Sequence, residues 1–320
     1  MTAKPVVWMP RRLSAATIAR AERDYDLILN EADTPGTAEE IIAMSARVDA
    51  MVPCHSELFS AEVVAQLDPR LKIVANHSVG TDHCDLDALR GRGIVVTNTP
   101  DVLSDATAEI AMLLMLGAAR LAVTGDRLVR SGAWDSWSPS FMVGKQVTGA
   151  RLGIIGMGRV GRAFAEKARG LRMDIQYYNR TPLRPEYEMG ATYHDSVESV
   201  LAVSDFVSLH CPSTPQTQDL MNADRFALLP DGAILVNTAR GALVDEDALI
   251  AAITSGKLAA AGLDCFKVEP GGNPAFAEHE NIFMLPHIGS ATGATRDAMG
   301  FRALDNLDAF FAGKTPGDAL

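Results

Sequence analysis

The sequence predicts an α/β protein of two doubly wound parallel-sheet domains, and three observations carry that expectation. Short apolar runs alternate with amphipathic helical patterns along the whole chain, and strands spaced by helices pair in parallel through right-handed crossovers. Residues 151–161 join an apolar run, Leu152, Ile154 and Ile155, to Gly156, Gly158 and Gly161 in the order G-x-G-x-x-G. The 320 residues suit about two domains at ~150 residues each.

In the first hundred residues, strands are expected at 5–9, 48–52, 71–75 and 94–97, with helical patterns at 15–23 and 38–47 between them. Around 97–104 the pattern changes to turn chemistry, Asn98-Thr99-Pro100-Asp101, before a long apolar helix capped by Ser104 or Asp105. A domain boundary is placed there. The apolar segment 106–119 contains Glu109 and falls short of the ~20 residues needed to span a bilayer, so it reads as a buried helix. Segment 121–149 is less regular and carries Trp134, Trp137, Pro139 and Phe141. A packed loop or a dimer arm is favoured there, with a substrate-facing tryptophan as the sharper alternative.

The glycine loop follows. Its first glycine permits a tight turn, its second lets a pyrophosphate approach the backbone, and its third lets the next helix sit close to the strand. A helix over 159–171 would aim the N–H groups of Arg159 and Val160 and its dipole at the phosphates. A second strand at 174–178 completes a dinucleotide-binding unit. That strand runs into Asn179, Arg180 and Thr181, where an NAD site usually carries Asp or Glu to accept from the ribose 2′-OH. A guanidinium and a hydroxyl there suit a 2′-phosphate, with Arg184 as a second cation, so NADP(H) is expected over NAD(H). A solvated loop arginine is the plainer alternative, but it leaves the missing acid unexplained.

Later strands are expected at 206–210, 233–237, 261–264 and 282–285, and each ends in polar or turn-forming residues. These are His210-Cys211-Pro212, Asn237-Thr238-Ala239-Arg240-Gly241, Asp264 and Pro286-His287-Ile288-Gly289. Ligands of an open α/β sheet bind beyond the carboxyl ends of its strands, so these ends should line one crevice beside the glycine loop. A last helix over 291–313 is expected to return to the first domain.

Three residues there form a chemically coherent set. Arg240 can fork onto a carboxylate, His287 can carry a proton, and Glu269 can hold the other imidazole nitrogen and stabilise the imidazolium. With a dinucleotide, they are what hydride transfer to a 2-oxo acid requires. Taken singly, a surface arginine, a satisfied loop histidine and a solvated turn acid remain the plain alternatives.

The charge of −11 argues against a nucleic-acid surface or an anionic membrane, but not against small anions held by local arginines. Cys54, Cys84, Cys211 and Cys265 form no C-x-x-C pair, and residues 1–10 lack the blocks of a signal peptide, as expected of a cytoplasmic protein with reduced thiols. No cluster with metal-ligand spacing is present, and no metal is expected.

These motifs together resemble the D-isomer-specific 2-hydroxyacid dehydrogenases from end to end. The matching pieces are Val79-Gly80-Thr81-Asp82, Asp105-Ala106-Thr107-Ala108-Glu109, the glycine loop, and Asn237-Thr238-Ala239-Arg240-Gly241. To these add Gly262-Leu263-Asp264-Cys265-Phe266 with Glu269-Pro270, and Pro286-His287-Ile288-Gly289-Ser290-Ala291-Thr292. The resemblance implies a Rossmann cofactor domain, 102–289, inserted into a flavodoxin-like substrate domain, 1–101 plus 290–320, and a homodimer. It implies that Arg240 binds the substrate carboxylate and carbonyl oxygen, that His287 is the general acid/base, and that Glu269 orients it. The amides of Val79 and Gly80 would help hold the carboxylate, Thr107 would lie near the cofactor phosphates, and Asp264 near the nicotinamide amide. Cys211, Pro212, Thr217, Thr238, Ala239 and Gly289 complete the implied cofactor site. Within the family, stretches 134–141 and 179–181 are most similar to glyoxylate/hydroxypyruvate reductases. The given sequence stops at Gly317-Asp318-Ala319-Leu320, short of the longer tail of some members. A 2-ketogluconate reductase or another dehydrogenase of bulkier 2-hydroxy acids is the alternative within the enzymes. A dinucleotide-sensing co-repressor is the alternative from another class.

Overall fold

The computed structural model describes residues 3–320. The chain divides into two compact units, Met1–Leu103 with Ser290–Leu320, and Ser104–Gly289.

The first unit holds a five-stranded sheet: β1 (Val6–Met9), β2 (Asp26–Leu29), β3 (Ala50–Met51), β4 (Ile73–Ala75) and β5 (Val95–Thr97). All pair in parallel in the order β2-β1-β3-β4-β5, which is the doubly wound order of flavodoxin-like sheets. Side chains alternate across the sheet. Val7, Met9, Ile73 and Ala75 pack with Ala303, Leu304 and Leu307 of the helix Gly293–Phe311, while Trp8, Met51, Val74 and Val96 face the other core. Strand β2 has no counterpart in the sequence reading. It is an edge strand with one exposed and three half-buried positions, so burial imposes little pattern on it.

The second unit holds seven parallel strands: β6 (Arg151–Ile155), β7 (Asp174–Tyr178), β8 (Thr192–His194), β9 (Phe206–Leu209), β10 (Ala233–Asn237), β11 (Leu258–Leu263) and β12 (Ile282–Met284). Their order is β12-β11-β10-β9-β6-β7-β8, so the winding reverses between β6 and β9, where open α/β sheets bind ligands. Helices Ser104–Ala119 and Arg159–Gly170 contribute to the core on one face. Helices Val197–Val203, Ala223–Leu228 and Glu246–Thr254 contribute to the other. Strand β8, a second short edge strand, was likewise not anticipated.

Three expectations need correction. Ser104 and Asp105 do not cap the long apolar helix; both lie in its first turn, where Asp105 pairs with Lys167 at 2.6 Å. That helix is also not buried all round, since Leu113 and Leu116 are exposed. Nor does segment 134–141 pack on its own chain. Trp134 and Trp137 are 53% and 73% exposed, which removes the packed-loop reading. Among the described residues, no single helix is long and apolar enough to cross a membrane.

Candidate active site

The glycine loop joins β6 to the helix Arg159–Gly170, and its three glycines differ in surroundings. Gly156 has φ +92°, and a Cβ there would lie 2.5 Å from the Cys211 amide nitrogen. A Cβ on Gly161 would lie 2.6 Å from the Gly156 carbonyl oxygen, so the helix could not approach the loop. A Cβ on Gly158 would meet nothing within 4 Å. Two glycines are thus demanded by packing, and the middle one, at the helix N-terminus, lies exposed where a phosphate can reach the backbone. The residues present fit a dinucleotide.

Beside the loop, Asn179 follows β7 and turns inward. Its Oδ1 accepts from the Met157 amide at 2.7 Å, and its Nδ2 reaches the Met157 carbonyl at 3.5 Å. The next residues are anchored from below by Tyr177, which is fully buried. Its hydroxyl accepts from the Leu183 amide at 3.0 Å and donates to Glu188 at 2.6 Å, and burial pushes the phenol up to about 12. Arg180, Thr181 and Arg184 are exposed, and among the described residues neither arginine is engaged in an ion pair. The segment is therefore held at its root while its cations face solvent.

The remaining groups follow β9, β10, β11 and β12, at the same edge of the sheet because the strands are parallel. After β9, Cys211 lies against Gly156, and burial pushes its thiol up to about 11. The Thr217 hydroxyl is spent inside its own turn, donating to the Pro212 carbonyl at 2.8 Å and accepting from the Thr214 amide at 2.8 Å. His210 bonds Ser208 at 2.8 Å, and burial pushes it down to about 3, so it stays neutral.

After β10, Asn237 shapes the turn. It accepts from the Ala239 amide at 3.0 Å and donates to the Arg240 carbonyl at 2.8 Å, and the half-buried Arg240 donates through Nη1 to the Ala239 carbonyl at 2.8 Å. The Thr238 hydroxyl is buried with no hydrogen-bond partner among the described residues. A Cβ on Gly241 would fall 1.9 Å from the Phe266 carbonyl carbon, so only glycine lets this turn press against the loop that carries Glu269.

After β11 and β12 the structure brings together what lies far apart in sequence. Glu269 Oε2 and His287 Nδ1 are 2.6 Å apart, while Glu269 Oε1 accepts from the Phe266 amide at 2.8 Å. His287 has φ +53°, a left-handed conformation that costs a non-glycine residue about 1 kcal/mol. Asp264 over-determines it: its two oxygens accept from the Ile288 amide at 2.8 Å and the Gly289 amide at 2.7 Å. Burial pushes the Asp264 carboxyl above the usual range. Thr107 stands beside Gly289, where a Cβ would meet its methyl at 3.3 Å.

In the five-stranded unit, Val79 and Gly80 form a turn after β4. Ser78 donates to the Gly80 carbonyl at 2.7 Å and Asn98 to the Val79 carbonyl at 2.9 Å. The amides of Val79 and Gly80 donate to no group among the described residues.

Asn237, Tyr177 and Gly241 in the seven-stranded unit, and Asn98 in the five-stranded one, shape the turns that carry candidate residues without having been assigned to them. Asn237 and Gly241 flank Arg240 inside a recognisable motif, which is a usable signal. Tyr177 and Asn98 carry none.

The model for the D-isomer specific 2-hydroxyacid dehydrogenase, NAD binding domain, matches residues 112–289. A glycerate dehydrogenase of Hyphomicrobium methylovorum is 43% identical over 310 residues, covering 96% of each chain. A glyoxylate reductase of Pyrococcus furiosus is 42% identical, covering 98% of this chain and 94% of that one. Among solved structures, an NADPH-dependent glyoxylate/hydroxypyruvate reductase of Sinorhizobium meliloti, in complex with NADP and malonate, superposes with a TM-score of 0.88. It is 31% identical and covers 99% of this chain and 97% of its own.

Proposed function

The chain belongs to the D-isomer specific 2-hydroxyacid dehydrogenase family, and from that premise we propose that it is an NADPH-preferring reductase of small 2-oxo acids, taking glyoxylate to glycolate and hydroxypyruvate to D-glycerate. The observation that carries the chemistry is the 2.6 Å pair between Glu269 and His287. It fixes the orientation of the imidazole ring, and with Nδ1 engaged, Nε2 is the nitrogen we assign to proton transfer.

When bound, the dinucleotide supplies a hydride to the carbonyl carbon. His287 delivers the proton to the carbonyl oxygen and takes it back in the reverse direction. Arg240 holds the substrate carboxylate and stabilises charge developing on that oxygen, a role worth about 3 kcal/mol for a well-placed donor. The amides of Val79 and Gly80 serve the carboxylate as well. Asp264 keeps the His287 loop in its left-handed turn.

Preference for NADPH is supported by Asn179, Arg180 and Thr181, which place a guanidinium and a hydroxyl where an acid would repel a 2′-phosphate. The name of the Sinorhizobium enzyme and the names of the glyoxylate reductase relatives favour the same substrates. The exposed Trp134, Trp137 and Phe141 are assigned to a homodimer contact in a cytoplasmic enzyme.

Initial rates of NADPH and NADH consumption with glyoxylate, hydroxypyruvate, pyruvate and 2-ketogluconate test the reading. Glyoxylate and hydroxypyruvate should be reduced fastest, and with NADPH at low cofactor. Fastest turnover of 2-ketogluconate would move the assignment to the bulkier acids, and cofactor binding without turnover of any 2-oxo acid would make the protein a sensor.

A further inference from the structure

Asp318 lies outside every motif assigned to chemistry, yet its carboxylate accepts three hydrogen bonds from two side chains. Arg302 forks onto it, Nη2 to Oδ1 and Nε to Oδ2, both at 2.8 Å. Asn306 donates to Oδ2 at 3.0 Å and accepts from the Asp318 amide at 3.2 Å. The Asp318 side chain is only 10% exposed. The following residues extend the sheet edge: Ala319 bridges Thr97 in antiparallel sense, and the Leu320 amide donates to the Val96 carbonyl at 3.0 Å.

The connection runs on to the Val79–Gly80 turn. Buried Asn306 also donates to the Asn98 carbonyl at 3.4 Å. Asn98 in turn clamps the Val79 carbonyl at 2.9 Å. A peptide unit is planar and trans, so its N–H points opposite to its carbonyl. Clamping the Val79 carbonyl therefore aims the Gly80 N–H.

We propose that Asp318, acting through Asn306 and Asn98, is a positioning residue for the 2-oxo acid carboxylate, setting the direction of the Gly80 amide. This rests on the assignment of Val79 and Gly80 to the carboxylate.

The test compares Asp318→Ala, Asp318→Asn, Asn306→Ala and Asn98→Ala with wild type, measuring kcat and KM for glyoxylate, KM for NADPH, and Kd for oxamate, an unreactive carboxylate analogue. Each variant loosens the single hydrogen bond that clamps the Val79 carbonyl, so KM for glyoxylate and Kd for oxamate should rise about three- to tenfold. kcat and KM for NADPH should stay within about twofold, the signature of lost uniform binding. Asp318→Asn keeps the side-chain volume and should show the same split in smaller measure, which covers a failure of Asp318→Ala to fold.

If Asn98→Ala raises KM while the Asp318 variants do not, the proposed role of Asp318 is wrong and the carboxylate assignment stands. If neither changes KM while wild type reduces glyoxylate, the assignment of Val79 and Gly80 falls with it. Equal losses in kcat and both KM values would make the residue merely structural and also overturn the proposal.

Discussion

Two regions of the nucleotide-binding unit are organised in opposite ways. At the ends of β10, β11 and β12, the polar groups already have named partners: His287 with Glu269, the Ile288 and Gly289 amides with Asp264, the Arg240 carbonyl with Asn237. At the end of β7, Arg180 and Arg184 reach into solvent, and the root of their loop is fixed by Asn179 on Met157 and by Tyr177. In the proposed mechanism proton transfer depends on close geometry, which suits groups locked beforehand. Recognition of a phosphate depends mainly on charge, and a flexible guanidinium can close on it after arrival. Substitutions in the first region should therefore act on turnover, and those in the second on cofactor affinity alone.

The largest effect is expected at the locked end. His287→Ala should lower turnover by about 100-fold or more, since a positioned proton donor contributes that much. KM for NADPH should hardly move, and a variant that loses cofactor affinity instead would break the contrast.

Next comes the open end. Asn179→Asp combined with Arg180→Leu should reverse the cofactor preference. The aspartate can still accept from the Met157 amide with one oxygen and offer the other to a ribose hydroxyl. Charge-assisted bonds of ~1.5–3 kcal/mol imply a change in discrimination of about ten- to hundredfold, with maximal turnover on glyoxylate intact. Equal use of NADH and NADPH by wild type at low cofactor would remove the basis for assigning Arg180 to the phosphate.

A smaller loss is expected for Arg240→Lys. The charge remains but the fork does not, so kcat/KM for glyoxylate should fall about tenfold, even though the turn held by Asn237 is untouched. Wild-type kinetics with glyoxylate would place Arg240 outside the site.

The subtlest change is in pH dependence. Glu269→Gln removes the anion at 2.6 Å from His287, so the imidazolium loses its partner. The falling limb of the reductive pH profile should then move to lower pH. An unchanged limb would reduce Glu269 to a backbone clamp for Phe266.

Legibility followed burial and steric demand. Strands β7 and β10 match their expected limits residue for residue, because both are central and alternate or run apolar. Edge strands β2 and β8 escaped, since half-exposed positions accept almost any residue. The three glycines were readable because a Cβ at two of them would strike backbone. The exposure of Trp134 and Trp137 was not, because an apolar residue looks the same in sequence whether its partner is its own core or another chain.

The sequence by itself determined the alternating architecture, the phosphate-binding loop, the missing acid after β7, and which chemical groups are available for catalysis. These depend on local backbone sterics and on periodic burial, both of which act over neighbouring residues. Only the tertiary structure decided how those groups are committed. Asn179 turns onto Met157, the Thr217 hydroxyl closes its own turn, Asp264 takes the Ile288 and Gly289 amides, and Asp318 reaches Asn98 through Asn306. A hydrogen bond between distant residues requires only that the fold bring two atoms within about 3 Å. That requirement imposes no spacing or periodicity on the chain, and so it leaves no trace in the sequence.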